Sequence, residues 1–250
     1  INNGTIHVVV VSGYNISLVG STIAGLLGGV YRRRNLVITI FFLFLYISIV
    51  GYEAPVLRAF FMGSLVLVAK YYGREFKSVE VLIFSGCVLL VLFPNFLFDL
   101  GFKLSFFATL GILLFNNHFS DFFSKFKFSS FLLDDFVTSL SAQVFVAPII
   151  SYYFGRFNIF SPVINAISLW TISYITIIGS IFLIISLISN ALSEIVLLFS
   201  VPFMKFFVYS NWYFAKFTAL NLEYKIETYL LLFFLILGFL LVLFFNNKND

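Results

Sequence analysis

The sequence predicts an all-α protein, a polytopic transmembrane helical bundle of about seven to eight spans plus interfacial helices. Three observations carry this. Hydrophobic residues make up 61% of the 250-residue chain and charged residues 10%, with a mean hydropathy of +1.07. A soluble domain carries about 25% charged residues. Several stretches then run for about 18 residues or more with almost no charge, the length that crosses a bilayer as a helix. Finally, the basic residues behind the net charge of +4 lie in short clusters between apolar runs, as on the cytoplasmic loops of membrane proteins. The short alternating segments of a barrel are absent.

The elements follow in order. The apolar segment 5–31 holds Gly13, Ser17, Ser21, Gly25 and Gly29 at a strict spacing of four, a narrow helical stripe against which another helix could pack closely. Arg32, Arg33 and Arg34 close it. A second span is expected over 36–50 and a third over 56–72, with Arg58 barely one turn inside it. Lys70 and Arg74 form the next basic cluster, and two crossings put both clusters on one side. A fourth span covers 79–93 and a fifth 104–117. Phenylalanines then alternate with Ser, Asp and Lys over 119–131, an interfacial segment. The sixth span, 134–154, carries Gln143 and Pro148; the seventh starts at Pro162, close to Asn165. Gln143 and Asn165 are expected to bond to neighbouring helices. Residues 194–217 suit either a span or an amphipathic surface helix, and 229–245 spans. This gives cytoplasmic loops at 32–35, 70–77 and 118–131, with 51–55 and 94–103 outside.

Residues 94–113 stand out. After Pro94, Asp99 and Lys103 fall at i, i+4 and would share a helix face, and the chain then turns apolar. The stretch reads either as a plain re-entry turn with its charges among headgroups or as a functional loop whose acid and base serve a path through the membrane.

Residue types exclude several chemistries. His7 and His118 are far apart, and the lone Cys87 can form no internal disulfide and no CxxC pair, so no metal set is expected. There is no Walker A sequence. Asp134 and Asp135 are adjacent and point to different faces. Ser12 and His7 are spaced so that they face apart, and no elbow motif surrounds the serine. The chain is read as non-enzymatic and without cofactor. It starts without Met or a basic n-region, so it is taken as a piece of a longer protein, a transmembrane domain over residues 1–250.

Three stretches together resemble the ComEC family of competence proteins. GTIHVVVVSGYNI at 4–16 is similar to a histidine-led segment of that family. RAFFMGSLVLVAKYYGR at 58–74 resembles its RA-x-x-M segment ending in Gly-Arg. DLGFKLSFFATLGIL at 99–113 resembles its D-x-GFQLSF-x-A segment. Asn15 stands where the family usually has histidine, and Lys103 where it usually has glutamine. The resemblance implies an inner-membrane channel that passes single-stranded DNA into the cytoplasm during natural transformation. It implies as partners an outer DNA receptor, a cytoplasmic ATPase, the lipid bilayer and a second copy of the chain. The OB-like and metallo-β-lactamase-like domains that full-length members often add are not expected here. Residues implied along the DNA path are Arg58, Asp99, Lys103, His7, Ser12, Asn15, Ser105 and Gln143. Arg32, Arg33, Arg34, Lys70 and Arg74 would favour the exit side. Because the strand carries one charge per nucleotide, its path needs cations. Arg58 and Lys103, at the outer ends of spans, are the expected phosphate contacts, with Asp99 pairing to Arg58. The rivals from other classes are a secondary transporter or small-solute channel, whose site would lie at broken helices near the midplane, an intramembrane enzyme of lipid or glycan assembly, and a structural assembly subunit that conducts nothing.

Overall fold

A computed structural model describes residues 13–74, 77–125, 130–155, 157–158, 161–186, 189–215 and 221–222. They form helices α1 (Gly13–Leu26), α2 (Arg33–Val50), α3 (Ala54–Tyr71) and α4 (Ser78–Leu92), a 3-10 turn (Pro94–Leu97), then α5 (Leu100–Phe123) and α6 (Ser130–Phe154). Helices α7 (Ser161–Ser186), α8 (Asn190–Leu198) and α9 (Val201–Ala215) follow. Two-residue strands at Phe157–Asn158 and Asn221–Leu222 pair antiparallel. Five helical stretches among the described residues are long and apolar enough to cross a membrane: Arg33–Val50, Ala54–Tyr71, Leu100–Phe123, Leu133–Phe154 and Ser193–Phe214. Ser78–Leu92 is apolar but shorter. The seven to eight spans expected from sequence are therefore not confirmed, and the run at 229–245 lies outside the described residues. The ambiguous stretch 194–217 qualifies by length and composition, yet it breaks into α8 and α9 at Phe199–Ser200. Pro202, near the start of α9, sits where a helix tolerates proline.

The chain divides into two compact units, with the boundary inside α5, after Leu113.

In the first unit, α1 packs on α2 and α3, and α3 packs on α4. Its core joins Ile16, Leu43, Ile47, Val56, Leu57, Leu89 and Phe102. Phe102 stacks on both Phe96 and Phe106, with centroids 6.2 and 5.9 Å away. Gly86 lets α4 approach this row: a Cβ there would lie 2.7 Å from a Phe106 ring carbon. The opposite faces expose Phe41, Phe44, Ile49, Ile83, Phe84 and Val91, which suits a hydrocarbon surround.

Among the described residues, the later members of the small-residue stripe, Ser21 and Gly25, are not on the face of α1 that packs. Ser21 and Gly25 are exposed, and a Cβ on Gly25 meets nothing within 4 Å. Gly29 lies beyond the helix at φ +95°. The packed face is Ile16 and Gly20, whose would-be Cβ reaches Leu43 Cδ1 at 3.5 Å. A spacing of four marks a stripe but does not say which side faces lipid, since both sides are apolar. The side chain of Ser17 lies outside the description.

In the second unit, α7 packs on α6, α8 and α9. The interface with α6 is bridged by polar rungs. Asn165 Nδ2 donates to Ser139 Oγ at 2.7 Å, and Gln143 Nε2 donates to Ser161 Oγ. The four-residue steps 139→143 and 161→165 run along facing stripes of antiparallel helices, which sets the rungs side by side. Ser168 and Ser210 link α7 to α9 at 3.0 Å. Both amides thus make the interhelical bonds expected of them. Helix α6 continues through Pro148.

Candidate functional site: a buried arginine between two motif helices

Arg58 enters α3 one turn after its start, where Pro55 sits among the first helical positions and presets the backbone. Its neighbours Val56, Leu57 and Ala59 are buried, and Arg58 itself is only 9% exposed. The guanidinium is held from two sides. Nε donates to Ser105 Oγ on α5 at 2.7 Å, and Nη1 contacts Met62 Sδ, one turn further along α3, at 3.3 Å. Arginine and methionine at i, i+4 share a helix face, so the soft sulfur lies beside the cation without a competing charge.

Asp99 takes a different role from the one expected. It stands just before α5, and its Oδ1 accepts the Phe102 N–H at 2.6 Å. This is the position where a short polar side chain satisfies the free amides of a helix start, and where a negative charge meets the positive end of the helix dipole. Arg58 makes no ion pair with Asp99 or with any other described carboxylate. The expectation of an Arg58–Asp99 pair is therefore corrected: the carboxylate caps its own helix, and a serine hydroxyl meets the guanidinium. The two ends nonetheless meet. A Cβ on Gly101 would come within 3.1 Å of Asp99 Oδ1 and 3.8 Å of the Pro55 ring, so α5 begins against the first turn of α3. Lys103 is half-buried in the first turn of α5, its N–H bonded to the Asp99 carbonyl at 3.2 Å.

The other candidates fall elsewhere. Arg32, Arg33, Arg34, Lys70 and Arg74 are all exposed. Helices α2 and α3 pack together across the short link 51–53, so they run antiparallel. Their basic ends therefore lie together, at the opposite end of the pair from Arg58. Gln143 belongs to the α6–α7 interface. His7 and Ser12 lie outside the described residues, as does the side chain of Asn15. Among the described residues no group of three or more His, Cys, Asp or Glu is placed to hold a metal ion. Met62 was missed from the sequence as part of the site, although its i+4 spacing from Arg58 was there to be seen.

The fold and this site together define a polytopic helical membrane protein with a buried cation between two of its helices. The family described as Competence protein matches residues 2–248, and the chain belongs to that family. It is similar to ComE operon protein 3 of Bacillus subtilis (strain 168), 29% identical over 164 residues, which are 65% of this chain and 20% of that protein. It is also similar to an uncharacterized protein of Aquifex aeolicus (strain VF5), 37% identical over 114 residues, 46% of this chain and 27% of that one. The matched stretches thus span only a minor part of either relative's length. No solved structure matches.

Proposed function

We propose that this chain is the membrane-spanning part of a DNA-uptake channel, through which single-stranded DNA enters the cytoplasm of a bacterium during natural transformation. Membership of the competence family and the likeness to a protein named for the ComE operon support the setting. The single observation that carries the residue-level reading is Arg58, a buried cation that meets Ser105 and Met62 and, among the described residues, no carboxylate. An uncompensated guanidinium at the end of a membrane helix is costly, and such residues mark the paths of ions and substrates. Its planar fork suits a phosphate diester. In this reading the strand enters near the start of α3 and α5 and leaves past the basic end of α3, by Lys70 and Arg74. An outer receptor delivers it, a cytoplasmic ATPase draws on it, and a second copy can complete the path. The host membrane is the inner membrane, and no catalytic step belongs to this chain.

A photo-crosslinking residue at Ser105 should capture labelled DNA during uptake, and one at Phe41 on the exposed face of α2 should not. Capture at Phe41 with none at Ser105 would contradict the assigned path.

A further inference from the structure

The turn between α1 and α2 borders a half-open cavity of about 370 Å³, lined in part by Gly28, Gly29, Tyr31, Arg32, Arg34 and Asn35. That is the size of small-ligand clefts, about 300–1,000 Å³. The turn is built rather than loose. Gly28 and Gly29 take φ of +73° and +95°, the left-handed region that glycine enters freely. Asn35, buried, donates through Nδ2 to the carbonyls of Leu27 at 2.7 Å and Gly29 at 2.9 Å, fixing the turn onto α2. Nothing in α2 itself calls for cations here. Arginines at the start of a helix oppose its dipole, and the first turn of α2 carries no acidic residue to offset them.

We infer that this cavity binds the phosphate of an anionic phospholipid headgroup, with Arg32 and Arg34 as its ligands. Charge complementarity selects an anion, and what lies below the cavity selects a lipid. Val37 and Phe41 follow Arg34 at i+3 and i+7, on the same face of α2, and both are exposed. A phosphate held by Arg34 would therefore have an apolar strip beneath it for an acyl chain, whereas a nucleic-acid strand would meet bare hydrocarbon there. Basic clusters at the ends of membrane helices are drawn to anionic lipid in this way. The inference separates Arg32 and Arg34 from the remaining exit cations, Lys70 and Arg74. It rests on no step of DNA transport, so it can fail while the channel reading stands, and the reverse.

The test is native mass spectrometry of the full chain in detergent, with equal concentrations of phosphatidylglycerol and phosphatidylcholine. Phosphatidylglycerol should be retained in preference, and Arg32→Gln with Arg34→Gln should weaken it about tenfold or more, as expected on losing charge-assisted hydrogen bonds. Arg33→Gln, an equal loss of charge beside the cavity, should leave retention near wild type. Phe41→Ser should weaken retention without any change of charge, which keeps the test decisive if the double variant does not fold. Equal retention of the two lipids, or a loss in Arg33→Gln as large as in the double variant, would overturn the site. Displacement of the lipid by equimolar inorganic phosphate would also overturn it. Displacement by a single-stranded oligonucleotide would return the two arginines to the DNA path.

Discussion

Arg58 on α3 and Ser105 on α5 are joined by a 2.7 Å hydrogen bond from Nε to Oγ, so two sequence motifs separated by 47 positions meet at one atom pair. The first motif supplies the cation together with Met62; the second supplies the hydroxyl, one turn inside a helix capped by Asp99. Ser105→Ala removes the acceptor and leaves a buried N–H on a charged group. We expect a loss of about 1.5–3 kcal/mol, the usual scale for hydrogen bonds to charged groups, read as a lower thermal midpoint in detergent. Ser105→Thr, which keeps the hydroxyl, should recover most of it. Wild-type stability in Ser105→Ala would show that the bond does not hold α3 to α5.

Gly86 governs the approach of α4 to the phenylalanine row of α5. With a Cβ placed 2.7 Å from Phe106, Gly86→Leu should lose folded protein, and adding Phe106→Ala should restore part of it, since contacting residues couple in double-mutant cycles. Gly25→Leu should accumulate normally, because open space surrounds that position. Equal accumulation of Gly86→Leu and Gly25→Leu would refute the close approach.

The Asn165–Ser139 rung of the second unit makes a prediction about sign. Asn165 is 1% exposed, and its Oδ1 is buried with no hydrogen-bond partner among the described residues. Ser139→Ala should cost about 1–3 kcal/mol because it strands the amide N–H. Asn165→Leu combined with Ser139→Ala should recover much of that loss, because an apolar pair leaves nothing unsatisfied. Chemical unfolding in mixed micelles reads both. A double variant less stable than Ser139→Ala alone would contradict the account.

Much of this was legible in the chain. Apolar runs bounded by Arg32–Arg34, Pro55, Gly73 and Pro94 placed α2 to α4 close to their observed limits, because a bilayer demands length and charge stops it, whereas α5 runs from Leu100 to Phe123, beyond both ends of the expected 104–117 and into the segment read as interfacial. Arg58 was legible too, since a cation one turn inside a span is conspicuous. Its partner was not. Charge logic offered Asp99, but an aspartate directly before an apolar helix caps that helix first, and its carboxylate is then taken by the Phe102 N–H. The packed face of α1 was hidden for a different reason. In lipid the inside and outside of a helix are both apolar, so hydrophobic periodicity does not separate Ile16 and Gly20 from Ser21 and Gly25.

Cysteine labelling tests the orientation. Single cysteines at positions 52 and 95, in a Cys87→Ser background, should label from the outside. Cysteines at positions 31 and 73 should label only after the inner face is opened. Labelling of position 95 from the cytoplasmic side alone would invert the positive-inside assignment and move Arg58 to the exit.

The most direct test of the central claim is internalised labelled DNA per cell, normalised to membrane-inserted protein, in Arg58→Gln. Uptake should fall at least about tenfold, as for loss of a charge-assisted contact, while DNA bound at the cell surface stays at wild-type level. Arg58→Lys should restore it only in part, because an ammonium cannot hold a hydroxyl and a phosphate with the same planar fork. Wild-type uptake in Arg58→Gln at normal abundance would contradict the account.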